Sequence, residues 1–528
     1  MHGLEITVII GASVLVGTLL APRLRLASPL ILLLLGLLLG FIPQLRAVEL
    51  PPETVLLLFL PAMLFWESLT TSLRAIRRDL RGIAILSTLL VVATALAVAA
   101  IAHLLGLPWP AALILGAALA PPDATAVAAL GRTLPRRNFM LLKAESLTND
   151  GTALVISAIA IALATGEGTY TPLSITGAFL LSFLGGGAAG ILTAVVAIVL
   201  LRRIDDSLTI NIALLLTPFT AFLAAEVIGA SGVLAVVIAG LVLAYHAPSF
   251  TTAASRRQTE SAWPLGSAML NGALFVLIGL QVQAVIRSIQ PSDIPRVVIS
   301  IVAVWLALLV VRFLFQVSSV TLIRILDRRP SQRARRMSHR ARVVSAIAGF
   351  RGAVSLAIAL SVPAVTNAGA PLPGRDDVVV ITTGVIVLTL LVQGPLLPAV
   401  VRWAHLPQDT SHESELQVAQ RTTLQAALRA LPALADAAGA DAALRRRIAD
   451  EYRERLAHLE DPDDDGSSDT VRGPRRTETA LRTALLNQKR TVLTQLRRDG
   501  SIDDSVARSV QSQLDIEELR LTGIGDAE

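Results

Sequence analysis

Glu145, Ser146, Asn149 and Asp150 place two carboxylates, a hydroxyl and an amide within six residues, inside the long apolar run from Phe139 to Thr165. An ionised side chain at a bilayer centre costs about 3 kcal/mol on insertion scales, so two carboxylates there call for a cation or a proton to hold. Residues four apart share a helix face, which pairs Glu145 with Asn149 and Ser146 with Asp150. The adjacent faces together form a stripe of oxygen ligands suited to Na⁺ or K⁺. The same carboxylate binds H⁺, with burial raising its proton affinity and nearby cations lowering it. Competition between the two at one carboxylate is enough to couple two fluxes. The alternative is a helix end opening into water near Lys143; against it, the apolar run resumes at Thr152.

Two further segments carry polar groups at the same depth. In Gly116 to Thr125, Pro121 and Pro122 remove two backbone donors and clash with the preceding turn, so the helix must break. Irregular backbone at membrane depth is tolerated only where it lines a cavity or is buried in protein. Asp123 then starts a second half-helix, where its carboxylate either caps exposed N–H groups or ligates an ion directly. In Gly349 to Ser355, glycines flank Arg351 inside an apolar helix. Arg351 is expected either as a fixed positive charge paired with Glu145, leaving Asp150 to titrate, or at the surface beside Arg340 and Arg342. Glu67 and Glu226 lie near span ends and are read as reaching interfacial water. Arg312 lies deeper and calls for a carboxylate partner that the sequence does not identify. Asn271, Gln281 and Gln283 are read as helix–helix hydrogen-bonding groups.

The elements that position these residues follow from hydropathy. The chain has 528 residues, 53% hydrophobic and only 16% charged, with mean hydropathy +0.64; an average soluble protein is about 25% charged. A helix needs about 20 apolar residues to cross the hydrocarbon core. Thirteen spans are predicted: 4–21, 28–43, 54–68, 82–105, 111–130, 138–164, 172–201, 208–227, 231–247, 264–285, 297–323, 343–367 and 378–403. The odd-numbered loops carry 21 Arg and the even-numbered loops 4. Basic residues gather in cytoplasmic loops, which places the N-terminus outside and the C-terminal polar region in the cytoplasm. One interrupted helix per half is the pattern of transporters built from inverted repeats, here spans 1–6 and 8–13 with span 7 linking them.

Residues 1–404 carry 29 Lys and Arg against 17 Asp and Glu, and the remainder 17 against 23. The basic excess therefore belongs to membrane loops and is no nucleic-acid footprint. Residues 405–528 are read as a cytoplasmic region of two or three solvated helices, with a charged linker near 461–476. It is either a solubilising tail or a regulatory or subunit-contact module. The absence of cysteine excludes disulfides and thiolate chemistry. No His cluster has metal-ligand spacing, no cofactor is called for, and the first apolar run is expected to be retained as a span. No Gly-x-x-x-x-Gly-Lys-Ser/Thr motif is present, so the driving force is expected to be an ion gradient.

Four segments in order carry a family resemblance: Pro122-Asp123 in a broken helix, Glu145 to Gly151 in the next, Phe275 to Leu280, and Phe350-Arg351-Gly352-Ala353. Over about residues 1–404 the chain resembles NhaP-type sodium/proton antiporters, relatives of the eukaryotic sodium/hydrogen exchangers. The resemblance implies an all-α, thirteen-helix homodimer, with a dimerisation domain and a six-helix core containing crossed, unwound fifth and twelfth spans. It implies Asp150 as the ion- and proton-binding carboxylate and Ser146 as a ligand, with the Pro122 carbonyl and the Asp123 side chain beside them. Asn149 would be a structural amide and Glu145 the partner of Arg351. Relatives with Asn-Asp usually exchange one cation for one proton, so electroneutral exchange is expected. Many relatives have Thr-Asp-Pro where this chain has Pro122-Asp123-Ala124, which leaves the choice between Na⁺ and K⁺ open.

The expected function is monovalent cation/proton antiport in the plasma membrane, not enzymatic catalysis. The rivals are a cation channel or sensor and an intramembrane aspartyl enzyme using Asp123 and Asp150.

Overall fold

A computed structural model describes residues 2–24, 26–45, 55–74, 76–77, 85–123, 136–166, 172–326, 338–367, 369–406, 411–460 and 475–522. The described residues are almost entirely helical. Among them, nine helices are long and apolar enough to cross a membrane, and three shorter apolar helices run over Ser28–Leu39, Leu57–Leu69 and Trp109–Leu119. In chain order the first are α1 (His2–Leu24), α2 (Ser28–Leu39), α3 (Leu60–Leu69, entered through a π-helical turn at Val55–Phe59), α4 (Val91–Leu104), α5 (Trp109–Leu119) and α6 (Arg136–Thr165). Next come α7 (Pro172–Leu180), continued by α8 (Gly186–Leu201), α9 (Ser207–Val227), α10 (Gly232–His246), α11 (Ala253–Ser288) and α12 (Ile294–Leu326). The half-helices α13 (His339–Ile347) and α14 (Ala353–Leu360) precede α15 (Arg375–Leu388) and α16 (Gly394–Ala404).

Outward faces remain apolar, as a lipid-facing surface requires: Leu192, Val195, Val196, Val199 and Leu200 of α8 are all exposed. Between helices, small residues allow close approach, since lipid tails supply no hydrophobic drive for association. A methyl group at Gly36 of α2 would collide with the Val276 carbonyl of α11, and one at Gly279 of α11 with the Leu33 carbonyl of α2. These two helices therefore meet backbone to backbone. Ser231 starts α10 by accepting from the Leu234 amide at 3.2 Å, which supplies one of the donors left over at a helix start.

The span predicted at 343–367 is interrupted as expected, forming two half-helices separated by Ala348–Gly352. The span predicted at 264–285 belongs to a longer helix, α11, whose first turns carry the polar residues 253–263 outside the apolar window. The second half of the span predicted at 111–130 lies outside the described residues.

After residue 406 the described chain forms four helices where two or three were expected: α17 (Ser411–Ala437), α18 (Ala442–Glu460), α19 (Arg475–Arg498) and α20 (Asp504–Thr522). The linker read at 461–476 falls almost wholly outside the described residues. Leu431, Ile448, Tyr452, Leu481 and Leu485 fill one core of this bundle; Leu486, Leu493, Val506 and Val510 fill a second. The bundle docks on the membrane region through α20. Asp503 accepts from the Ser72 hydroxyl at 2.7 Å, Asp504 from the Arg74 amide at 3.0 Å, and Arg508 donates to the Thr70 carbonyl at 2.8 Å. Asp515 forms a two-point ion pair with Arg256 of α11.

Candidate functional site

Two interruptions of helical backbone cross at the centre of the membrane region. α5 ends at Leu119, and Pro121 and Pro122 continue as irregular chain. Opposite, Gly349–Gly352 is irregular between α13 and α14. The two breaks satisfy each other: the Asp123 amide donates to the Phe350 carbonyl at 2.9 Å. An unpaired amide in lipid costs several kcal/mol, so this bond lets both helices stop at membrane depth. The Asp123 side chain packs on Gly352, where a Cβ would overlap its carboxylate oxygen. That position, at the N-terminal end of α14, favours a negative charge. The half-helix expected to begin at Asp123 lies outside the described residues.

α6 passes beside this crossing without a break, so Lys143 is not the helix end weighed above. Glu145, Ser146, Asn149 and Asp150 are all buried. The Asn149 amide donates to the Pro122 carbonyl at 3.2 Å, tying α6 to the break after α5 while leaving that carbonyl one lone pair. One helical turn separates Ser146 from Asp150 on one face. The electrostatic neighbours of Asp150 are Asp123 and Glu67, both negative when ionised. Among the described residues, Asp150 has no hydrogen bond and no ion pair.

Glu145 has a partner, and it is not the expected one. Arg312 of α12 grips it at two points, 2.6 Å and 2.8 Å, with both side chains only 3% exposed. The Arg312 Nε donates to the Ser345 carbonyl of α13 at 3.0 Å. Arg351 instead donates to the carbonyls of Gly349 and Phe350 in its own loop, at 3.1 Å and 3.3 Å. The pairing of Glu145 with Arg351 is therefore corrected to Glu145 with Arg312. The planar guanidinium of Arg312 approaches from an unbroken helix and matches the carboxylate fork. Arg351 is drawn into saturating the carbonyls that its glycine break frees, and it is buried there, not at the surface with Arg340.

Glu67 stands two residues from the end of α3 and is half-buried; the fold also brings it within electrostatic range of Lys143, Asp123 and Asp150. The signal in the sequence was a lone carboxylate in an apolar helix with no cation on its own face. Lys143 donates to the Thr70 hydroxyl just beyond α3, at 2.7 Å.

A family model described as the transmembrane sodium/hydrogen exchanger matches residues 10–403. Across the whole chain, an uncharacterized Na⁺/H⁺ exchanger of Mycobacterium tuberculosis is 42% identical over 530 residues, covering 98% of the relative. A sodium, potassium, lithium and rubidium/H⁺ antiporter of Bacillus pumilus is 30% identical over 92% of this chain and 73% of its own length. The solved sodium/proton antiporter of Methanocaldococcus jannaschii superposes with a TM-score of 0.58 at 20% identity, over 76% of this chain and 99% of that one. These relatives are transporters, not enzymes, which removes the aspartyl-enzyme reading. With the crossed helix breaks, the buried Asn149-Asp150 pair and the matched family model in agreement, the chain belongs to the transmembrane sodium/hydrogen exchanger family and is an NhaP-type antiporter.

Proposed function

We propose that Asp150 is the carboxylate that alternately holds a monovalent cation and a proton, with Ser146, Asp123 and the Pro122 carbonyl as further oxygen ligands. One observation carries this reading. Asp150 is buried, has no cation partner among the described residues, and faces two other carboxylates. A bare charge in that position is costly, so a proton or a metal ion must neutralise it. Glu145 is already neutralised by Arg312 and is not available for exchange.

Each loaded state removes the charge that would resist movement past a dry barrier, and the empty anion stays put. Asn149 supplies an amide where a second carboxylate would add a second charge, which favours one cation exchanged per proton. The transported ion is Na⁺ or K⁺; the Bacillus relative is named for four alkali cations. The working form is a homodimer in the plasma membrane, with its N-terminus outside and the four-helix region, residues 405–528, in the cytoplasm. The loop charge asymmetry supports that orientation.

Asp150→Asn tests the proposal in reconstituted vesicles with a pH-sensitive dye, Na⁺, K⁺ and Li⁺ being supplied in turn. Losing the ionised partner of a buried ion costs about 3 kcal/mol or more, so exchange falls at least about 100-fold while the protein remains inserted and folded. Undiminished exchange in Asp150→Asn would remove this residue from the mechanism.

A further inference from the structure

A helix that stops inside a membrane leaves its last carbonyl groups without the amides four residues on, and a bare carbonyl there is costly. At the break after α13 every carbonyl from Val344 to Phe350 has a donor. Val344 accepts from the Ala348 amide, Ala346 from the Gly349 amide and Ala348 from the Phe350 amide. The Arg351 side chain serves Gly349 and Phe350, and the Asp123 amide serves Phe350 as well. The two carbonyls that remain are met by side chains from other helices. Ser345 takes the Arg312 Nε–H at 3.0 Å, and Ile347 takes an amide proton of Gln393.

Gln393 is 1% exposed. It closes the π-helical turn Thr389–Gln393 that joins α15 to α16. Such turns offset the helix face that follows them from the one before, and they recur at functional sites. In the orientation that satisfies both ends of its amide, Gln393 donates to the Ile347 carbonyl at 3.1 Å and accepts from the Trp305 Nε1 of α12 at 3.0 Å. In an unbroken α-helix the Ile347 carbonyl would accept from the Arg351 amide, four residues on. Gln393 occupies the place of that amide.

We propose that Gln393 is a positioning residue for the ion site: by holding the Ile347 carbonyl it keeps α13 from winding on into α14, and so keeps the Phe350 carbonyl turned to the Asp123 amide. Without this donor the Ile347 carbonyl is bare in a dry interior, and the nearest replacement is the Arg351 amide of a continued helix. Winding of that kind points the Phe350 carbonyl along the helix axis, toward the Val354 amide, and takes it from Asp123. Asp123 loses its anchor beside Asp150, its electrostatic neighbour. Gln393 therefore acts on the site through the backbone of the break. Trp305 has the lesser part: its indole N–H fixes which end of the Gln393 amide faces Ile347.

The effect on the cation rests on the reading of the crossing as the ion site; the hold on the break does not. Two measurements on the full-length protein separate them. Hydrogen exchange at the Asp123 amide is followed by mass spectrometry in peptides that span it. Cation-driven proton flux is followed in proteoliposomes with Na⁺, K⁺ and Li⁺ in turn. Gln393→Leu removes both hydrogen bonds of the amide, whereas Trp305→Phe removes one and leaves Ile347 its donor. In Gln393→Leu the Asp123 amide is expected to exchange at least about tenfold faster, and the apparent KM for the cation to rise at least about fivefold. In Trp305→Phe both are expected to stay within about twofold of native, although thermal stability falls, a split that mere structural support would not give. Gln393→Met, unbranched as glutamine is, repeats the test without the branch of leucine. A native KM in both Gln393 variants overturns the proposal, as does an equal rise of KM in Trp305→Phe. Unchanged hydrogen exchange at Asp123 overturns the hold on the break. Undiminished flux in Asp150→Asn, measured in parallel, would count instead against the ion site itself.

Discussion

At the helix crossing, Glu145 is matched by Arg312, and Asp150 has no cation among the described residues. In the C-terminal bundle charges of both signs are paired: Lys489 and Arg455 meet Glu517, and Arg455 and Arg482 meet Glu451. Both regions bury charge, in different solvents. Around the crossing, lipid and protein exclude water, so an unmatched carboxylate must bind something small that can arrive and leave. Around the bundle, water reaches the partly exposed members and screens part of each pair, so these pairs act in packing and docking. The contrast is between a carboxylate that we propose carries the ion and ion pairs that hold helices together.

The largest expected effect tests whether the two regions hold their pairs on different terms. Removing one partner of a buried pair strands the other charge at about 3–5 kcal/mol. Glu145→Ala and Arg312→Ala should therefore each lower the thermal stability of the detergent-solubilised protein severely. The double variant should lose much less than the sum of the two, whereas Glu145→Ala with Arg351→Ala should show weaker coupling. Stronger coupling of Glu145 to Arg351 than to Arg312 would reverse the assignment made from the geometry.

A second prediction isolates the crossing. In Gly352→Ala the new methyl group occupies the place of the Asp123 carboxylate. Overpacking of this kind costs about 1–3 kcal/mol. Exchange should fall more than stability does, because Asp123 must leave its place beside the ion path. Exchange at the native rate would show that the position of Asp123 is not critical.

At the docking face the expected effect is smaller. Arg256→Ala leaves Asp515 with Arg490 as a remaining partner, so the loss should be about 1–3 kcal/mol, the cost of one charged hydrogen-bonding partner. Limited proteolysis should then cut near α20 faster, while Asp150-dependent exchange persists. An unchanged cleavage rate would mean that this pair does not hold the bundle.

The smallest effect is one of pH. Burial alone raises the Asp503 carboxyl; hydrogen bonds from Ser505 and Ser72 and the charge of Arg508 outweigh it and hold the group below its ordinary value of 3.8. A depressed carboxyl contributes stability that is present above the unfolded value and is lost as pH falls through the folded one. Docking of α20 through Asp503 should therefore be constant from neutral pH down to about pH 4 and weaken below it. Hydrogen exchange in α20 that rises between pH 7 and pH 5 would point to a different group.

Much of the membrane region was legible in the sequence because its signals are local. Lipid forbids unsatisfied backbone, so hydropathy marks the spans, Pro121-Pro122 marks one break, and the glycines around Arg351 mark the other. The placement of Asn149 and Asp150 on an unbroken buried helix follows from the same local pattern. The partner of Arg312 was not legible. The sequence shows that an arginine so deep needs a carboxylate, but Glu145 lies 167 positions away, and two arginines were candidates. The neighbours of Glu67 were not legible for a related reason: its distance from the end of its span says nothing about which groups its helix faces. In the C-terminal region the apolar spacing identifies helices. Their number depends on where the chain turns, and their docking depends on surface pairs between distant segments.

From its order of residues alone, the chain was bound to be a polytopic helical membrane protein with two interrupted helices and an acidic pair at membrane depth. Hydropathy, proline sterics and helical periodicity act between near neighbours and need no knowledge of the fold. Only the tertiary structure decided that Arg312 neutralises Glu145, that Asp150 is left in electrostatic range of Asp123 and Glu67, and that a four-helix bundle grips the membrane region through α20. Those outcomes are set by charges and packing surfaces that meet in space from far apart in the chain, where no local preference chooses between partners.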